Sequence, residues 1–258
     1  EDGKRTAMRY LDNDLEVTCD LIEELTPQIA IRAIISVDIG VDVRSKSDAQ
    51  IGEAIIRQRV EKRMGGRRLY KPDIVPGVFK YEAPKYVVFQ TPEMQAMLSR
   101  LLRSDFLVRR DGYVQLPDVF GAKKTKDADG EGDGYEGGSE IRLGGNVYKM
   151  GIGGLHSQEE SVSYVEDDET GLFDNDVTGY YPNLKLRSGR EPANMRGHYL
   201  TVFKQIVDER AAAKKAGDKP KAEQGKIASN GLFGKTGSPY SIVYAPQMMI
   251  QTTVTGQL

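Results

Sequence analysis

The sequence has one cysteine, Cys19, no tryptophan and two histidines, His156 and His198. A single cysteine excludes an internal disulfide framework and makes a reducing interior the default. No apolar run approaches the roughly 20 residues that a membrane-crossing helix needs. The opening "EDGKRTAMRY" has no apolar signal-peptide core. Charge of one sign is also missing: the net charge is −2, so the whole-chain figure gives no nucleic-acid signal.

What is there fits a globular chain. Its 258 residues are 39% hydrophobic and 29% charged, enough to bury a core in one or two domains. Charge is partitioned even though its sum is small. Arg187 to Lys235 carries eleven Lys/Arg against five Asp/Glu, and His156 to Asp176 carries eight Asp/Glu with no Lys or Arg. A basic segment beside an acidic one suits a site that holds both phosphates and metal ions. A charge run is more often a solvated face.

Local signals divide the chain. "KRTAMRYLDNDLEVTCDLIEELTP" reads as a helix with Leu15, Cys19 and Leu21 or Ile22 on an apolar stripe. Both ends, here and at "YAPQMMIQTTVTGQL", lack terminators, which suggests a piece of a longer protein. Ser47 with Gln50 forms a capping-box start for a helix carrying Ile51, Ala54 and Ile55, ending near Gly65 and Gly66. The basic "RQRVEKRMGGRR" that follows reads as a solvated face and loop. Thr91-Pro92 starts a second helix with Met94, Met97, Leu98 and Leu101 toward the core. "FLVRRDGYVQL" predicts a hairpin about Asp111-Gly112. Residues 121–140, Gly-rich and charged, read as a mobile loop whose D-x-D-x-E acids lack the rest of a calcium loop. "NVYKMGIGGLHS" predicts a strand entering a glycine turn, and "SVSYVEDDETGLFDND" two strand-like runs about an acidic turn. Residues 194–216 give the clearest helix, with Tyr199, Leu200, Phe203, Ile206 and Val207 as its stripe. "GDKP" turns it back into a second helix over roughly Lys221 to Leu232.

Chemistry concentrates in "FDNDVTGYYPNL", residues 173–184. Leu172 and Phe173 read as a buried strand, which places Asp176 at a rigid strand end. Divalent ions such as Mg²⁺ take hard oxygen ligands, and phosphoryl transfer commonly uses two of them. The turn Thr178-Gly179-Tyr180 can aim backbone N–H groups at a triphosphate, and Tyr181, held by Pro182, can wall a nucleotide pocket. The alternative is a turn capped by Asp176 with two packed tyrosines. On the helical hairpin, Arg210 and Lys214 are four apart, as are Lys226 and Asn230. Each pair therefore shares a face, and both lie where they can converge as a cationic fork for phosphate. Gly231 and Gly234 are expected to leave room for substrate.

These residues carry a resemblance. "DVTGYYP", Asp176 to Pro182, resembles motif A of the family B DNA polymerases, D-x-x-S-L-Y-P, most similar to phage and prophage members. "KIASNGLFG", Lys226 to Gly234, resembles motif B, K-x3-N-S-x-Y-G. "ERAAAKK" fits the Arg-then-Lys pattern of the fingers helix, and "GIGG", Gly151 to Gly154, sits where the family has Y-x-G-G. "YLDND", Tyr10 to Asp14, matches the Y-x3-D of the proofreading exonuclease. The matches occur in the family's order over residues 10–234.

The resemblance implies an α+β fold with a mixed palm region and an antiparallel helical hairpin as fingers. Residues 1–65 would be the end of a 3′–5′ exonuclease domain and the following helix, and 66–145 a connecting region with the loop 121–140. Palm would occupy 146–193, fingers 194–234, and 235–258 a truncated return to palm. It implies template-directed DNA synthesis, nucleotidyl transfer of dNTPs to a primer by a two-metal mechanism with two Mg²⁺. Asp176 would ligate both ions and the Val177 carbonyl one. Gly179 and Tyr180 would hold phosphates through their backbone, and Tyr181 would exclude a ribose 2′-OH. Arg210, Lys226 and Lys214 would grip the triphosphate, and Asn230 would orient the nucleotide. Gly151, Gly153 and Gly154 would touch the template. Tyr10 and Asp14 would serve the exonuclease, His156 and His198 would be structural, and the location would be the cytoplasm of a bacterial or phage-infected cell. Partners would be primer–template DNA, dNTPs and the remaining segments of a parent chain, with no membrane.

Departures are visible. Gly179 stands for Ser, Tyr180 for Leu, Gly231 for Ser, Phe233 for Tyr, and Gly151 for the linker Tyr. The 50-residue step from Asp176 to Lys226 leaves little room for the insertion of protein-primed members, which favours nucleic-acid priming. No Asp or Glu follows Gly234, so the family's second carboxylate is lacking; Asp174, an i, i+2 neighbour on the expected strand, is the other acid at hand. The chain is therefore expected to be inactive alone. Two other readings stay open: a nucleotide- and DNA-binding module without chemistry, and a Mg²⁺-dependent nuclease using residues 156–176.

Overall fold

A computed structural model describes residues 2–120, 123–126, 133–136, 139–143, 145–151, 154–169 and 171–258. The elements run, in order, α1 (Asp2–Ile39), α2 (Asp48–Arg63), β1 (Gly77–Lys80), α3 (Pro92–Arg103), β2 (Asp105–Val108) and β3 (Val114–Gln115). There follow β4 (Lys123–Lys126), β5 (Asp133–Glu136), β6 (Ser139–Leu143), β7 (Asn146–Gly151) and β8 (Gly154–Ser157). The chain ends with α4 (Tyr180–Ser188), α5 (Tyr199–Ala216), α6 (Lys219–Asn230), α7 (Leu232–Lys235) and α8 (Pro246–Gln257). The class is α+β, with antiparallel sheets ordered β1-β2-β3, β4-β5 and β6-β7-β8.

The local start and stop signals act as expected. Ser47 Oγ accepts the Gln50 N–H, and Gln50 Oε1 accepts the Ser47 N–H at 3.0 Å, closing the capping box of α2. Pro92 opens α3. Gly112, at φ +88, turns β2 into β3, and Tyr244 Oη donates to its carbonyl. Gly217, at φ +74, ends α5, and Asp218 caps α6 by accepting the Lys221 N–H at 3.1 Å.

Two cores result. In the first, Ile35 and Ile39 of α1 and Ile51, Ile55, Ile56 and Val60 of α2 pack with Tyr199, Val202, Phe203 and Ile206 of α5, and with Ile227 and Leu232. Each such aliphatic or aromatic side chain contributes about 1.5–3 kcal/mol on full burial. In the second, Met94, Met97 and Leu101 of α3 meet Phe106, Ile141, Met150, and Ile250 and Val254 of α8. Met248 of α8 belongs to the first core, so α8 joins the two. It carries buried Gln251, Thr252, Thr253, Thr255 and Gln257. Gln251 donates to the Glu82 carbonyl and Thr252 to the Met248 carbonyl, while Thr253 Oγ1 has no hydrogen-bond partner among the described residues.

Several expectations are corrected. No strand forms between Gln158 and Thr178 among the described residues. Leu172 is exposed and Phe173 is 89% exposed, so the strand expected to carry Asp174 and Asp176 is coil. A strand needs a neighbour for its ladder, and the β6-β7-β8 sheet ends at Ser157. The clearest helix begins at Tyr199, after a 3₁₀ turn at Ala193–Met195, instead of at 194. The 121–140 loop falls partly outside the described residues; 123–126 and 133–136 pair as the β4-β5 ladder, Lys123 opposite Glu136, and Ser139 and Glu140 begin β6. α1 continues through Pro27 to Ile39. Its stripe residues Leu15, Leu21 and Ile22, with Cys19, are exposed. No helix among the described residues is long and apolar enough to cross a membrane.

Candidate functional site

The site is built around the start of α4. Gly179, at φ +61, adopts the left-handed conformation that a side chain disfavours, and begins the helix there. Asn183 fixes the turn: its Nδ2 donates to the Thr178 carbonyl at 3.1 Å and its N–H to the Gly179 carbonyl at 2.9 Å. Asp176 and Val177 precede this turn in exposed coil. The Asp176 carboxylate has no partner among the described residues.

Beyond the turn, three sequence-distant segments meet. The Tyr181 ring lies 4.9 Å from the Phe233 ring and 5.7 Å from Tyr180, centroid to centroid. Tyr180 Oη donates to the Gly256 carbonyl at 2.8 Å. A Cβ at Gly256 would stand 3.1 Å from Leu184 and 3.5 Å from Tyr181, so glycine lets α8 approach α4. The next residue, Gln257, accepts the Gly151 N–H at 3.0 Å and donates to the Gly151 carbonyl. The glycine turn after β7, the tyrosines of α4 and the end of the motif B-like segment thus share one wall, with α8 as mortar. Gly151 and Gly154 flank this turn; Gly153 lies outside the described residues.

Lys185 lies beneath that wall. It is fully buried, its Nζ lies 4.7 Å from the Phe203 ring centroid and 6.0 Å from that of Phe233, and it has no hydrogen-bond partner among the described residues. Burial pushes its pKa down to about 7. Nothing in the sequence singled it out, because lysine usually extends its head to water.

The helical hairpin distributes its expected ligands over different surroundings. Gly225 brings α6 against α5: a Cβ there would lie 2.6 Å from Arg210 Cβ. Arg210 lines a cavity of about 480 Å³ with Asp38, Arg59, Lys221 and Gln224. Lys214 borders a groove against Pro27 and Ile31 of α1. Lys226 is exposed and pairs with Glu223 at 3.1 Å, and Asn230, one turn on, is exposed as well. The cationic fork is therefore not gathered at one point. Gly231 offers substrate no room, since a Cβ there would meet the Asp48 carbonyl at 2.6 Å; Gly234 has open space.

Tyr10, 70% exposed, and Asp14 stand on the exposed part of α1. Among the described residues no group of three or more His, Cys, Asp or Glu side chains could hold a metal. The donor set therefore does not fit a two-ion centre. Asp176 and Asp174 supply free carboxylates on a coil, with no third acid beside them.

Compared with protein-family models, with curated proteins and with solved structures, the chain matches none.

Proposed function

We propose that this chain carries the nucleotide- and DNA-binding part of a family B DNA polymerase-like site, belonging to an enzyme that transfers dNTPs to a primer end and proofreads with a 3′–5′ exonuclease. The observation that carries this reading is the shared wall of Tyr180 and Tyr181, Phe233 and the Gly151 turn, held by Gly256 and Gln257. These are the segments that the resemblance assigns to the nucleotide, the fingers and the template. In this reading Tyr181 presents its ring to the sugar, the Gly179–Tyr180 backbone faces phosphate, and Lys226 and Asn230 meet the triphosphate from α6. Arg210 and Lys214, which line separate pockets beside α1, would supply further positive charge to it. Asp176, exposed and without a side-chain partner among the described residues, is the motif A carboxylate open to Mg²⁺. No transfer step is assigned to the chain alone, because the described residues do not supply a two-ion ligand set.

The test is binding, measured with a fluorescent dATP analogue and Mg²⁺. The whole chain is expected to bind it, with Tyr181→Ala and Lys226→Ala each weakening affinity roughly tenfold, the scale of one lost charged or stacking contact, and with no primer extension. Binding indifferent to both substitutions, or sustained extension, refutes the reading. A second reading is a binding module without chemistry; it predicts binding of primer–template with no incorporation whichever metal is supplied.

A further inference from the structure

Two segments far apart in sequence form a surface that the site above does not use. At the end of α2, Lys62 and Arg63 are exposed, and after it so are Arg67, Arg68, Tyr70 and Lys71, while Leu69 is buried. Glu61, the one acid between Arg57 and Lys71, is occupied, its Oε1 accepting the Leu69 N–H at 2.8 Å. Lys62, Arg63 and Arg67 have no ion-pair partner among the described residues. Asn194 then pins this segment beside the loop that precedes α8. Its Nδ2 donates to the Tyr70 carbonyl at 2.7 Å and to the Ile242 carbonyl at 2.9 Å.

The consequence is a pair of neighbouring tyrosine rings turned to solvent. Tyr70 is 69% and Tyr240 79% exposed. Each has a cation beside it: the Arg68 guanidinium lies 5.7 Å from the Tyr70 centroid, and Lys71 Nζ lies 5.9 Å from that of Tyr240. A solubilising patch needs the charges but not the rings. An apolar docking face needs the rings but not unneutralised cations. Exposed tyrosine rings with cations over them, beside Lys and Arg that have no ion-pair partner among the described residues, match a strand that offers both stacking bases and phosphates.

We infer that this surface is a stacking platform for single-stranded DNA, with Tyr70 and Tyr240 receiving unpaired bases and Arg63, Arg67, Arg68 and Lys71 the phosphates. The choice of DNA over RNA rests on the polymerase reading; the platform itself does not. Stacking does not depend on base identity, so binding is expected to be insensitive to sequence and sensitive to salt.

The experiment is fluorescence anisotropy of the whole chain with a labelled 12-nucleotide oligo(dT), beside a blunt duplex, oligo(U) and polyglutamate. Tyr70→Ala and Tyr240→Ala are each expected to weaken oligo(dT) binding roughly tenfold. Arg67→Ala with Arg68→Ala is expected to flatten the dependence on log salt by about one per lost contact. Both rings are exposed, so the variants keep the thermal midpoint and the dATP-analogue affinity of the parent. Unchanged oligo(dT) affinity in the double tyrosine variant overturns the platform. So does equal affinity for duplex, or displacement by polyglutamate at matched charge. Equal affinity for oligo(U) overturns the assignment to DNA. Tyrosine-dependent oligo(dT) binding without binding of the dATP analogue sustains the platform and removes the polymerase reading, so the two failures are distinguishable.

Discussion

Lys185 shows how far one residue departs from its usual habit. Its ammonium has aromatic rings for company and no acceptor, so its charged form is penalised by desolvation. The folded pKa, about 7, lies below the ordinary lysine value of about 10.4 in the unfolded chain. Between those two pH values the unfolded state binds one proton more, and stability rises with pH; below about 7 both states are charged and the full penalty remains. Lys185→Met is therefore expected to stabilise the protein by a few kcal/mol at pH 6, at about 1.4 kcal/mol per pH step between the two values. The advantage shrinks as pH climbs from about 7 toward 10. Urea unfolding of both proteins across this range tests it; a gap independent of pH contradicts the assignment.

Between elements, small residues set the distances. Gly231 closes against the first turn of α2, where a Cβ would stand 2.6 Å from the Asp48 carbonyl, and Gly52 on α2 approaches the Ile227 carbonyl. Gly231 departs from the serine that the resemblance calls for, and the structure supplies a reason: α2 occupies the space. Gly231→Ser is expected to cost about 1–3 kcal/mol by overpacking, seen as a lower denaturant midpoint. A neutral result means that α2 and α6 are not held as described. The signals that set single elements were legible in the sequence. Ser47 with Gln50, Thr91-Pro92, Asp111-Gly112 and "GDKP" each act through their own few residues, and each does in the structure what the pattern implied. Leu172 and Phe173 were misread because two adjacent apolar residues make a buried strand only beside a partner, and no strand among the described residues pairs with them.

At the scale of the whole molecule, α8 is the joint. Gln251 and Gln257 each bond backbone groups of the second core's segments, at Glu82 and Gly151 respectively, while Met248 reaches the first core. Gln257→Leu removes both side-chain hydrogen bonds to the half-buried Gly151 backbone, which costs about 1–3 kcal/mol. Amide exchange is expected to speed up in β7 and β8 and at Tyr180, with less effect in α5 and α6. Uniform acceleration across both cores refutes a local joint. The clue in the sequence was the lack of any charged residue after Lys235, a sign of burial despite many Gln and Thr.

The sequence by itself determined the local signals at Ser47 with Gln50, Thr91-Pro92, Asp111-Gly112 and "GDKP", and which residues resemble a nucleotide site, because capping, turn geometry and residue order are local. Tertiary structure alone decided that Asp176 sits on coil, that Lys185 is caged by rings, that Gly231 abuts α2, and that Arg210, Lys214 and Lys226 face different surroundings. Those outcomes depend on which surfaces meet. Packing between distant segments fixes that, and no window along the chain contains it.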